Sequence, residues 1–260
     1  FGVMRILNFA HGTLMMVGMY VTYWAFALLG LDPYLSLVIC MPALFFLGYA
    51  LQKVLINRVL DAPEDSQILL TLGVSLFIQN AALELFSPDY RTVKLSYQST
   101  TFDVMGSVVT MPRLLAFVFS LAMAAALYVV LQRTDLGRAI RAAAQDREGA
   151  QLVGVNVRNI YGIAFGIGAA CVGAAGTLVV PFLYVAPDVG NIFVLNAFVV
   201  VVLGGMGSLP GAVAGGLIVG LTESLSAAFI DSSLRQGVIF VLFVLVLLFR
   251  PSGLFGVRNV

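Results

Sequence analysis

Residues 113–132 read RLLAFVFSLAMAAALYVVLQ, and residues 133–160 continue RTDLGRAIRAAAQDREGAQLVGVNVRNI. The first stretch is long and apolar enough to cross a hydrocarbon core, which takes about 20 helical residues. The second gathers Arg133, Arg138, Arg141, Arg147 and Arg158 at the end of that span before apolar sequence resumes. A membrane span that runs into a charged, helix-forming island fixes the class of fold, and the island is where a soluble partner can push.

The rest of the chain agrees with this start. Of its 260 residues 60% are hydrophobic and 10% charged, and the mean hydropathy is +1.01. A soluble domain of this length needs more charge to cover its surface, and no polar segment is long enough for a second domain. We therefore expect one membrane domain over residues 1–260. The net charge of +1 gives no reason to invoke nucleic acid, because the basic residues sit in loops beside spans. Cys40 and Cys171 fall inside apolar stretches and read as small hydrophobes, with no disulfide framework or metal site. The sequence opens at Phe1 without methionine, so the natural protein is expected to extend upstream, by a further span or by a signal peptide.

Apolar segments near 12–30, 34–55, 66–86, 113–132, 160–181, 191–207, 209–230 and 235–250 predict an all-α polytopic bundle of about eight spans, the sixth short. If these alternate with both ends inside, ten of the fourteen basic residues face the cytoplasm: Arg5, Lys53, Arg58, Arg133, Arg138, Arg141, Arg147, Arg158, Arg250 and Arg258. That bias places the island in the cytoplasm. The loop near 87–112 then lies outside. Its stretches Thr92-Val93-Lys94-Leu95 and Val108-Val109-Thr110 around Gly106 read as a small hairpin or as irregular surface chain. Small residues at Gly162, Gly166, Ala170 and Ala174 predict close helix packing, as do Gly211 with Gly215 and Gly216 with Gly220.

Within the island, Thr134 or Asp135 can cap a helix that starts at Leu136, and Ala139, Ile140 and Ala142 to Ala144 favour its continuation to about Val153. Gly154 supplies a permissive backbone at the end. From the residues alone this is either a partner-docking helix or an amphipathic helix resting on membrane lipid headgroups.

Glu148-Gly149-Ala150 with Gly154 after three residues resembles the EAA-x3-G cytoplasmic loop of ABC importer permeases, with Gly149 in place of the central alanine. Further stretches resemble the branched-chain amino acid permease family, in particular its LivH-type members. These are Asn8-Phe9-Ala10-His11-Gly12, Gly137-Arg138-Ala139-Ile140-Arg141-Ala142 with Gln145-Asp146-Arg147-Glu148, Leu203-Gly204-Gly205-Met206-Gly207-Ser208, and Phe249-Arg250-Pro251-Ser252-Gly253-Leu254-Phe255-Gly256. The resemblance covers essentially the whole chain. It implies a permease subunit in a bacterial inner membrane, joined by a second and unlike permease, two cytoplasmic ATPases and a periplasmic solute-binding protein. It implies a coupling helix near 136–154, with Arg141, Asp146, Glu148, Gly149, Ala150 and Gly154 at the ATPase. No Walker A sequence occurs here, so ATP and Mg belong to the partners and this chain holds no cofactor and catalyses no covalent reaction. The implied solute is a branched-chain amino acid, with urea, short amides and aromatic acids as alternatives within the family.

The solute path is read from polar and glycine-rich breaks. Asn8, His11 and Gly12 precede the first complete span, and Gly204 and Gly205 precede the seventh. The pairing indicates broken or re-entrant segments in two repeated halves, or simply an interfacial cap and a tight glycine connection. Glu84 and Glu223 are carboxylates inside spans and need partners; Glu223 lines a polar passage or pairs with a cation. An ion-coupled secondary transporter using Glu223 and His11 is the rival class, and it leaves Glu148 to Gly154 unexplained.

Overall fold

The computed structural model describes residues 3–4, 8–104, 107–229, 234–250 and 252–256. Arg5, Gly106 and Arg258, which entered the readings above, lie outside the described residues. The chain divides into two compact units, one built on residues 6–192 and one on 193–260 together with 1–5.

The larger unit contains α1 (His11–Leu29), α2 (Leu37–Val54), α3 (Glu64–Phe86), α4 (Met111–Arg133), α5 (Asp135–Gln145), α6 (Arg147–Leu152) and α7 (Val157–Val179), and it includes the first residues of α8 (Gly190–Gly204). Local chemistry sets many of the ends. Gly30 closes α1 with φ of 65° and donates its amide to Phe26. Glu64 and Asp65 occupy the first turn of α3, where the helix dipole favours them. Pro112 sits in the first turn of α4, where its missing amide costs nothing.

The core of this unit is α7 against α1 and α2, and small residues make it possible. A Cβ on Gly18 would stand 2.7 Å from the Cα of Gly173, and one on Gly173 would stand 2.7 Å from the Leu44 side chain. Gly162 and Gly166 receive the rings of Tyr49 and Phe45, so the expected stripe on α7 faces α2. Leu14, Cys40, Leu44 and Ala169 are buried where the three helices meet. Thr22 and Thr177 satisfy each other across the same contact at 2.8 Å. By contrast, none of the apolar window of α4 is buried within this chain.

The smaller unit holds the remainder of α8, then α9 (Leu209–Phe229) and α10 (Arg235–Phe249), around Val199, Leu203, Val219 and Ile239. Gly211 and Gly215 pack on α8 as expected, at Gly204 and at the Val200 carbonyl. The second stripe does not: among the described residues Gly216 meets only a Val200 methyl at 3.8 Å and Gly220 nothing within 4 Å.

The eight apolar helices α1 to α4 and α7 to α10 occupy the segments marked from sequence, and six are long and apolar enough to cross a membrane. The shorter two, α8 and α10, have 15 residues each, or about 22 Å of rise against a core of about 30 Å.

The 87–112 loop contains a hairpin, in a different register from the expected one. Strand β1 (Thr101–Val104) pairs antiparallel with β2 (Ser107–Thr110). The 92–95 stretch is not a strand. Arg91, just before it, forms a single bridge with Val185 instead, and its guanidinium stacks on Tyr23 and Trp24.

Candidate functional site

The island forms two helices where a single one is expected. At Asp146 the backbone turns extended, with φ −146° and ψ 107°, and its carboxylate accepts the amides of Glu148 and Gly149, both at 3.0 Å. A short acidic side chain that competes with the backbone ladder ends one helix by starting another. Thr134 caps α5 by accepting from the Gly137 amide at 3.1 Å. The elbow between α5 and α6 is therefore defined at each joint by a side chain.

Gly149 sits directly beside the capping carboxylate. A Cβ at position 149 would lie 2.5 Å from Oδ2 of Asp146, so an alanine there would require the capping carboxylate to shift. Gly154 has φ of 88° and nothing within 4 Å; it is needed for the backbone turn and not for space. Ile140, Ala143 and Ala150 are buried, and the Tyr161 hydroxyl of α7 donates to the Ala143 carbonyl at 3.3 Å. Arg141 and Glu148 remain exposed. Arg138 pairs with Asp135.

Two features of this site were missed from sequence. Leu152 and Val153 are 88% and 79% exposed at the tip of α6, an apolar end on a charged segment. Arg147 pairs with Asp61 in the connection between α2 and α3. That contact raises the Arg147 pKa and holds the Asp61 carboxyl below the usual carboxylate range, first through the hydrogen bond and then through charge. Leucine beside valine before a helix-ending glycine was a legible signal; the partner of Arg147 was not.

The expected path residues fall in both units and are described within each. In the larger, Asn8 folds back so that its Oδ1 accepts the Ala10 amide at 2.9 Å, and the Phe9 amide donates to Thr71 at 3.3 Å. Nδ1 of His11 meets the Asn8 carbonyl at 2.5 Å, which fixes the proton on Nδ1. Nε2 is buried and has no partner among the described residues. Gly12 touches Gly190: a Cβ on Gly190 would run into the Gly12 carbonyl. On α3, Gln67, Thr71 and Ser75 are buried polar residues at four-residue spacing, a stripe visible in the sequence but passed over.

In the smaller unit Gly204 ends α8, and Gly205 and Gly207 take φ of 102° and 86° in the turn to α9. Ser208 completes the turn by accepting the Gly211 amide at 3.1 Å. Residues 252–256 fold onto this turn. Leu254 and Phe255 donate their amides to the carbonyls of Leu203 and Gly204 at 2.9 and 3.0 Å, which satisfies acceptors left open at a helix end. Two of the quoted motifs thus clasp each other. Glu223 pairs with Arg235 at 3.1 Å, both sides partly exposed, and Glu84 is exposed.

Almost the whole chain is similar to proteins of one transport family. The family model described as the permease component of branched-chain amino acid transport systems matches residues 1–247. The chain is 34% identical over 274 residues to the high-affinity branched-chain amino acid transport system permease protein LivH of Escherichia coli, covering 98% of this chain and 87% of that protein. It is 31% identical over 271 residues to BraD of Pseudomonas aeruginosa, a permease protein of the same description, covering 98% and 88%. A 127-residue stretch is 35% identical to LivM of E. coli, covering 48% of this chain and 29% of LivM. No solved structure matches.

Proposed function

The chain belongs to the branched-chain amino acid transport permease family, and from that premise we propose that it is the membrane subunit through which an ATP-driven importer passes branched-chain or related hydrophobic amino acids. It is a multi-pass membrane protein whose relatives translocate a solute and do not transform it. A second, unlike permease completes the passage, as the similarity to both LivH and LivM supports. Two ATPases on the cytoplasmic face of a bacterial inner membrane bind ATP and Mg, and a periplasmic binding protein delivers the solute.

The observation that carries this reading is the elbow of α5 and α6. It is capped at both joints and presents an exposed Leu152-Val153 tip. An apolar tip on a segment that carries exposed Arg141 and Glu148 suits docking in a groove, with the charges setting register. Movement of a docked α6 passes to α7 through the short 153–156 turn, and through Arg147 and Asp61 to the link between α2 and α3. Those connections let ATP-driven closure bias the spans between inward- and outward-open states.

For the path itself, Asn8, His11 and Gly12 at the mouth of α1 and Gly204, Gly205 and Glu223 in the smaller unit are our assigned residues. The support is strongest at His11. Its Nδ1 is engaged by the Asn8 carbonyl, and its buried Nε2, without a partner among the described residues, is the ring atom left to meet a polar group of the solute.

The test is ATP hydrolysis by the reconstituted complex with loaded binding protein, for the native chain, Glu148→Ala and Gly154→Trp, each checked for assembly. Solute-stimulated hydrolysis that the substitutions uncouple is the expected result. Uptake that follows an ion gradient, with no ATPase co-purifying, would replace this reading with the secondary transporter. Uptake unchanged in His11→Ala and Glu223→Gln would remove those two residues from the path.

A further inference from the structure

A cavity of about 770 Å³ lies beside the elbow, between the end of α2 and the start of α7. Three cations from three elements line it: Lys53 in the last turn of α2, Arg58 in the short 3-10 turn that follows, and Arg158 in the first turn of α7. Its carboxylate is Asp61, which Arg147 already engages. Among the described residues none of the three cations is ion-paired. Lys53 lies over the Tyr49 ring, 5.8 Å away.

Two further features add to this surplus. The start of α7, a helix of 23 residues, contributes the positive end of its dipole. Tyr49 donates its hydroxyl to Oδ1 of Asn159 at 2.8 Å, which leaves the Asn159 amide nitrogen as a donor at the cavity wall. A bias of basic residues toward one membrane face accounts for cations near this level. It does not account for three of them converging on one cavity whose one lining acid, Asp61, is hydrogen-bonded to Arg147 and meets Arg158 only through charge.

We propose that this cavity binds a phosphate anion, carried either by an anionic phospholipid headgroup or free in solution. Lys53, Arg58 and Arg158 provide the charge, and the Asn159 side-chain amide provides a donor; the Asn159 backbone amide is already capped by Asn156. The anion adds a charged bridge between the ends of α2 and α7, where the Tyr49–Asn159 hydrogen bond is neutral and Lys53 and Arg158 are like charges. Because Asp61 shares the wall, occupancy leaves that carboxylate to Arg147 and favours the docked position of α6.

The test is thermal unfolding of the purified full chain in detergent, titrated with short-chain phosphatidylglycerol, short-chain phosphatidylcholine or inorganic phosphate at constant ionic strength. A ligand that binds only the folded chain raises Tm saturably. The native chain is expected to show such a rise, and the triple change Lys53→Gln, Arg58→Gln and Arg158→Gln to raise the half-saturating concentration at least about tenfold, the scale of losing charge-assisted hydrogen bonds. Exchanging lysine and arginine at the same three positions should keep the rise. A rise with phosphatidylglycerol alone identifies a lipid; an equal rise with inorganic phosphate identifies a soluble anion. If the triple variant does not fold, Arg158→Gln against Arg158→Lys makes the same comparison. Absence of a saturable rise with either anion overturns the site, as does an equal rise in native and neutralised chains.

Discussion

The guanidinium of Arg147, at the first position of α6, grips the carboxylate of Asp61 in the connection between α2 and α3. The pair ties the elbow to a helix hairpin that precedes it by a long stretch of chain, and it is the only ion pair among the described residues that does so.

Its pH dependence has a definite sign. Arg147 holds the Asp61 carboxyl below its ordinary value, about 3.9 in an unfolded chain. A carboxylate depressed on folding contributes stability fully above the unfolded value and loses it as pH falls through the lower folded one. The Tm difference between the native chain and Asp61→Asn should therefore be small and constant from neutral down to roughly pH 5, then close in stronger acid. A difference that grows as the pH falls contradicts the pairing.

Gly18→Ala should destabilise the contact of α1 with α7 by about 1–3 kcal/mol, the range for overpacking a tight core, because its new carbon meets Gly173 backbone at 2.7 Å. Gly168→Ala, on α7 with open space around it, should be neutral or slightly stabilising. Denaturation of the two variants side by side decides this; equal changes at the two positions would mean that the close approach of Gly18 to Gly173 is not what sets the loss.

Gly205→Ala and Gly253→Ala each force a side chain onto left-handed backbone and into the same clasp, since a Cβ on Gly253 would lie 2.6 Å from Gly205. Each should cost roughly 1–3 kcal/mol. The double variant should cost clearly less than their sum, because one contact is lost once. Additive losses would show that the two glycines act independently.

Leu152→Asp should leave the stability of the isolated chain within about 0.5 kcal/mol, as expected for an exposed site, yet weaken ATPase co-purification by about tenfold or more, as for a docking anchor. Retention of the ATPase at native yield would place the anchor elsewhere on the elbow.

The apolar helices were legible from sequence because span length is set by the membrane, and the Thr134 cap and the Gly154 stop because each is a local event. The break at Asp146 was hidden by its setting. Ala142 to Gln145 and Arg147 to Gln151 are mostly good helix formers, and only the direction of one carboxylate separates one helix from two. The stripe of Gly162 and Gly166 was readable as packing, whereas Gly18 against Gly173 joins helices far apart in sequence, and no pattern within either helix names the other. The same limit applies to the hairpin, where Thr92 to Leu95 has strand-like residues but Arg91 finds its partner at Val185. At the candidate site, the family pattern located the elbow, while its exposed tip and its tie to Asp61 depended on folded geometry.

The clasp on the last carbonyls of α8 also has a consequence for biogenesis. Leu254 and Phe255 leave the ribosome only after all of α9 and α10 have been made, so α8 enters the bilayer with two acceptors that nothing yet covers. Open acceptors at a helix end need water or another partner until the clasp closes. A chain cut short before Leu254 would keep that defect permanently, and membrane proteases or insertion chaperones would have a chemical mark by which to tell an unfinished subunit from a complete one.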